Sequence, residues 1–94
     1  KLTFALILNI NIYELNNNFY PNYLVKHGKD SSILINCPGG TQRIISAYNL
    51  NYNYIKVIVI TKNEPEYIEG LPGLLMTIFA TNKTINDVLI IIPD

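Results

Sequence analysis

Residues 32–92 alternate between short apolar runs and helical spacing, and this limits the fold more than any other feature of the chain. The runs are SILIN at 32–36, IKVIVI at 55–60 and VLIII at 88–92. Nearly continuous Ile and Val over so few residues predicts strands, and the 55–60 run in particular predicts one covered on both faces. Between the first two runs, Cys37-Pro38-Gly39-Gly40 breaks the strand, and Ile44, Ile45 and Tyr48 then fall at helical spacing. Between the last two, Leu71, Leu74, Leu75, Ile78 and Phe79 recur at i, i+3, i+4, i+7 and i+8. That pattern predicts an amphipathic helix with one buried stripe. Strands alternating with helices imply a parallel sheet with helices packed on it.

The first third reads differently. Residues 2–12 are rich in aliphatic side chains and predict a strand. The polar stretch 14–18 predicts a loop. Residues 23–27 predict a second strand, His27-Gly28-Lys29-Asp30 a turn, and 32–36 the third strand of an antiparallel meander. Thr41 is a candidate N-cap for the first helix. Pro72 suits the first turn of the second, where a missing amide does no harm. Gly70 and Gly73 would let that helix approach its neighbours closely. The last run, 88–92, predicts a buried strand. The fold class is α/β, a mixed sheet with helices on it, within one small domain spanning residues 1–94. An all-apolar final strand and a first residue that is Lys rather than Met lead us to expect part of a larger fold.

Composition narrows the function classes. Hydrophobic residues at 49% against 15% charged exclude a disordered chain. The net charge is zero. A stand-alone nucleic-acid binder carries a basic excess, because phosphate contacts supply most of its affinity. The single cysteine, Cys37, excludes an internal disulfide and a multi-cysteine zinc site. It reads as a small buried apolar residue rather than a nucleophile, because His27, the one histidine, is its only histidine candidate for a base. No apolar run is long enough to span a membrane, and no signal peptide is visible.

Two segments carry a resemblance. One is Asn36-Cys37-Pro38-Gly39-Gly40-Thr41-Gln42-Arg43; the other begins at Thr61 and closes on Gly70-Leu71-Pro72-Gly73-Leu74-Leu75. Together, at this separation, they resemble ribonuclease Z of the metallo-β-lactamase superfamily. That family has a strand ending in Asp/Asn-Cys-Gly-Glu-Gly-Thr-Gln. Its next strand ends in Thr-His-x-His-x-Asp-His, followed by x-x-Gly-Leu-Pro-Gly-Leu-Leu. The present chain keeps the two ends and changes the middle. The histidine, histidine, aspartate and histidine positions are Lys62, Glu64, Glu66 and Tyr67. Pro38 and Gly39 replace the family's Gly-Glu.

The resemblance implies an αββα metallo-β-lactamase-like fold, of which this chain is the N-terminal part. It resembles the N-terminal half of the long form, which keeps the fold but not the metal motif. The expected role is non-catalytic support of tRNA 3′-trailer removal. The partners implied are the C-terminal half of the same protein, which would hold the zinc, and precursor tRNA bound by the whole enzyme. No cofactor and no catalytic residue are expected in this segment, and no membrane partner. Relatives of that form are nuclear or mitochondrial. Zinc needs imidazoles and a carboxylate converging at a strand end, and Lys62 and Tyr67 do not supply them. Glu64, Glu66 and Glu69 are solvated carboxylates or a weak hard-cation set. Gly40, Thr41, Gln42 and Arg43 are either a structural turn or an RNA-proximal one. The same two readings apply to Gly70, Leu71, Pro72 and Gly73. Tyr48, Tyr52 and Tyr54 either pack a helix or offer stacking faces. A stand-alone pseudoenzyme serving as a protein-interaction module is the alternative to the scaffold role.

Overall fold

Among the described residues an antiparallel meander and two parallel crossovers produce a five-stranded sheet whose strands lie side by side in sequence order. The computed structural model describes residues 9–15, 20–82 and 88–93. The strands are β1 (Ile10–Glu14), β2 (Tyr23–His27), β3 (Ser31–Ile35), β4 (Ile55–Val59) and β5 (Leu89–Ile91). The helices are α1 (Thr41–Ala47), α2 (Pro65–Ile68) and α3 (Leu71–Asn82), with a 3₁₀ turn at Tyr52–Tyr54. β1, β2 and β3 pair antiparallel as a meander. β3, β4 and β5 pair parallel. A parallel pair needs a crossover, and the helical patterns supply both of them.

The register explains the core. Tyr13 lies opposite Leu24, Leu24 opposite Leu34, Leu34 opposite Ile58, and Ile58 opposite Ile90. This row crosses all five strands on the helix-covered face. Leu24, Leu34 and Ile58 at its centre are sealed from solvent, while Tyr13 and Ile90 pack against the same cluster at its ends. Ile45 of α1 and Leu74 and Ile78 of α3 close over them. α1 and α3 touch each other, and both touch the 3₁₀ turn.

Several expectations need correction. Among the described residues the first strand is 10–14, so Glu14 belongs to a strand and not to a loop. Residues 2–8 of the expected strand lie outside the described residues. Thr41 is not an N-cap. Gly40 holds that position with φ of 90°, and Thr41 is the first helical residue. Its hydroxyl instead donates to the carbonyl of Pro38 at 2.7 Å. β4 is not sealed throughout: Ile55 and Ile58 are buried, the latter on the helix-covered face, while Val57 and Val59 are half-buried. Val25, Ile33, Val57 and Leu89 line the opposite face, where Val57 is half-buried and Leu89 is 59% exposed. β5 is likewise not buried, since Ile91 is 47% exposed. Phe79, assigned to the buried stripe of α3, is 55% exposed. The stripe runs through Leu71, Leu74, Leu75 and Ile78.

Candidate functional site

Both chain segments that leave the carboxyl ends of the parallel strands β3 and β4 meet in one place. In open α/β sheets this edge is where ligands bind. The first segment is turned by Asn36, which takes φ of 62° directly after β3. Asparagine tolerates this left-handed conformation better than other residues with a side chain. Its backbone amide donates to Val59 O at 2.7 Å, extending the β3–β4 ladder.

The Asn36 side chain is fully buried and fully used. Its Nδ2 donates to Pro21 O at 2.8 Å and to Thr61 Oγ1 at 2.9 Å. Its Oδ1 accepts from the backbone amide of Thr61 at 2.8 Å. Asn22, also buried, donates to the carbonyls of Ile35 and Asn36 at 3.2 and 3.0 Å. Thr41 Oγ1 lies 3.3 Å from Asn22 Oδ1. These side chains lock the β1–β2 connection, the end of β3, the start of α1 and Thr61, just beyond β4, into one unit. Sequence reasoning assigned Asn36 to the end of a strand and gave Asn22 no role. Their common signal is an asparagine at each strand boundary, which in a chain this rich in asparagine does not stand out.

A second staple joins the two resembling segments. The amide of Cys37 donates to Tyr67 O at 2.9 Å, and the amide of Gly70 donates to Cys37 O at 2.8 Å. Gly70 has no room for a side chain, because a Cβ there would overlap the carbonyl oxygen of Pro38 and sit 3.0 Å from that of Cys37. Gly70 O then accepts from Leu74 at 3.1 Å, the first bond of α3. Gly73 is less constrained, with Gln42 Oε1 at an ordinary 3.7 Å from its would-be Cβ. Leu71 packs against the core and Pro72 faces solvent. Cys37 is completely buried, and burial pushes its thiol up from 9.0 to about 11, against a smaller opposing effect of a hydrogen bond with Thr41. A thiol in that state is not a nucleophile at neutral pH.

The loop between the staples holds the four changed positions. Lys62 Nζ and Glu64 Oε2 form an ion pair at 3.6 Å, both side chains about half exposed. Tyr67 packs its ring edge-to-face on Tyr20, centroids 5.2 Å apart. Glu66 lies in the first turn of α2 and is exposed. Among the described residues no three His, Cys, Asp or Glu side chains gather where they could share a metal ion. The donor set offered here, an ammonium paired to a carboxylate and a phenol packed edge-to-face on another ring, does not fit zinc.

Beside the loop, a cleft of about 500 Å³ opens between the starts of α1 and α3. Gly40, Gln42 and Arg43 line it from one side and Glu69, Gly70 and Gly73 from the other. The structure thus brings together most of the residues singled out in the two segments. Thr41 is turned into the core instead. His27 sits at the end of β2, paired with Ile10 and Ser31, away from this edge. Tyr52 packs on the core while Tyr48 and Tyr54 are exposed.

No family model matches the chain. Curated relatives do. Ribonuclease Z of Agathobacter rectalis is 39% identical over 54 residues, 57% of this chain and 18% of that protein. Ribonuclease Z of Borreliella afzelii is 32% identical over 77 residues, 82% of this chain and 24% of that protein. Among solved structures, human tRNase Z, short form, superposes with a TM-score of 0.64 at 27% identity, covering 78% of this chain and 28% of that one. The metallo-β-lactamase fold protein YhfI of Bacillus subtilis gives 0.58 at 17% identity, over 70% and 27%. The chain therefore spans a quarter or less of the curated relatives described here. Its mixed sheet with helices is a metallo-β-lactamase fold in part. Within that superfamily the relatives it belongs with are ribonuclease Z.

Proposed function

We propose that the chain is the non-catalytic N-terminal part of a long-form tRNA 3′-processing endoribonuclease. In this reading it carries no metal. It packs against a zinc-bearing C-terminal half and shapes the face on which precursor tRNA is held. Hydrolysis of the phosphodiester belongs to that other half, and none of Lys62, Glu64, Glu66 or Tyr67 takes part in it.

One observation carries the proposal. The strand–loop–helix around residues 61–75 is held by Asn36 and Gly70, while the loop inside it is filled by the Lys62–Glu64 pair and the Tyr67–Tyr20 contact. The frame supports the family resemblance and the contents support loss of its chemistry. The relatives named ribonuclease Z support the link to tRNA processing.

The test is trailer cleavage. The chain alone, with zinc or manganese at micromolar concentration, is expected to leave a precursor tRNA uncut. Its coding sequence is expected to continue into a second half with an intact His-x-His-x-Asp-His motif. Cleavage by the chain alone that disappears in Glu66→Gln would overturn the proposal. A stop codon shortly after Asp94 would favour the stand-alone interaction module instead.

A further inference from the structure

We infer that the cleft between the starts of α1 and α3 takes one ribonucleotide unit of single-stranded RNA, with Arg43 on a phosphate and Glu69 on a ribose 2′-hydroxyl. This rests on the RNA-processing reading above and assigns it a place on this chain. Four observations support it. The cleft lies at the carboxyl ends of two adjacent parallel strands, the edge where α/β sheets bind ligands. Its volume, about 500 Å³, suits a group of nucleotide size rather than a lone ion. Much of its lining is glycine, Gly39, Gly40, Gly70 and Gly73, so a ligand can reach the backbone. Finally, its charged groups are of opposite sign and uncommitted. Arg43 and Glu69 both line the cleft and both are exposed, and neither belongs to an ion pair among the described residues.

The chemistry of those two side chains selects the ligand. A bare phosphate is repelled by Glu69, and a simple cation by Arg43. A ribonucleotide satisfies both, because it carries an anionic phosphate and, one sugar away, hydroxyl donors. A guanidinium matches phosphate oxygens, and a carboxylate accepts from a ribose 2′-hydroxyl. That hydroxyl also separates RNA from DNA at a single site. Gln42 and Ser46 add neutral donors and acceptors on the same wall. With a net charge of zero over the chain, the contact is local and weak. It positions a strand that other surfaces hold.

Fluorescence anisotropy of a labelled single-stranded RNA, and of DNA of the same sequence, against the full 94-residue chain at several salt concentrations tests this. RNA is expected to bind more tightly than DNA. Arg43→Gln is expected to weaken both and to lower the salt slope by about one. Glu69→Ala is expected to bring the two affinities together. Both residues are exposed, so the variants retain the fold. RNA binding that neither substitution changes would place the contact elsewhere and overturn the inference, leaving the RNA-processing reading intact. No RNA binding at low salt, or a change only in self-association, would overturn it in favour of a protein surface. The cleavage test above is independent of all these outcomes.

Discussion

Asn36 illustrates how one side chain can organise a site. It turns the backbone at φ of 62° and spends its amide on Pro21 and Thr61. Alanine there would leave buried partners unsatisfied and keep a Cβ in a left-handed conformation. Asn36→Ala is expected to cost about 3 kcal/mol, read from urea unfolding. Cys37 makes a separate prediction in pH. Its thiol is raised to about 11 in the fold against 9.0 ordinarily, because burial penalises the thiolate. Between these values the unfolded chain has lost the proton and the folded one has kept it. Stability is therefore full below pH 9 and falls as pH rises toward 11, by up to about 3 kcal/mol. The urea midpoint of the wild type should drop across that window by more than that of Cys37→Ala, whose remaining decline reports the other titrating groups.

At the scale of elements, α3 separates a buried stripe from an exposed one. Leu74 and Ile78 are sealed, while Met76 and Phe79 are 72% and 55% exposed. Ile78→Ala is expected to destabilise by about 2–5 kcal/mol, and Phe79→Ala by roughly 0.5 kcal/mol or less, both measurable in one denaturation series. Periodicity located the stripe but overran it by one residue, because i+8 drifts off a face that the sheet covers only so far. The same limit explains β5. Val88 to Ile92 is as apolar as any core strand, and sequence alone reads such a run as buried. Among the described residues it is the outer strand of the sheet, with Leu89 and Ile91 open. Strand direction was legible, since short turns join antiparallel strands and helical crossovers join parallel ones. The 23–27 strand was read with its observed limits, and the turn after it, expected at 27–30, occupies 28–30. The cap at α1 was not. Thr41 has the chemistry of a cap, but Gly40 takes the left-handed position and frees the hydroxyl for Pro38.

Across the whole molecule, the sheet is finished on one face and open on the other. Val25, Ile33 and Val57 are half-buried and Leu89 is exposed. The αββα fold expected from the resemblance would cover this face with a second sheet. The candidate site was legible as two segments, because Gly-Thr-Gln-Arg and Gly-Leu-Pro-Gly are readable as strings. How the segments are joined was not, because the bonds between Cys37, Tyr67 and Gly70 are between backbone groups that no side-chain pattern encodes. The central claim concerns the loop they enclose. It lies within the second of the two segments that carry the resemblance, and its residues make an ion pair and a ring contact. The measurement that tests this most directly is the zinc content of the purified chain after dialysis against micromolar zinc, determined by plasma mass spectrometry. Far less than one zinc per chain, unchanged in Glu64→Gln and Glu66→Gln, is the predicted result. One zinc per chain that either substitution removes would contradict it.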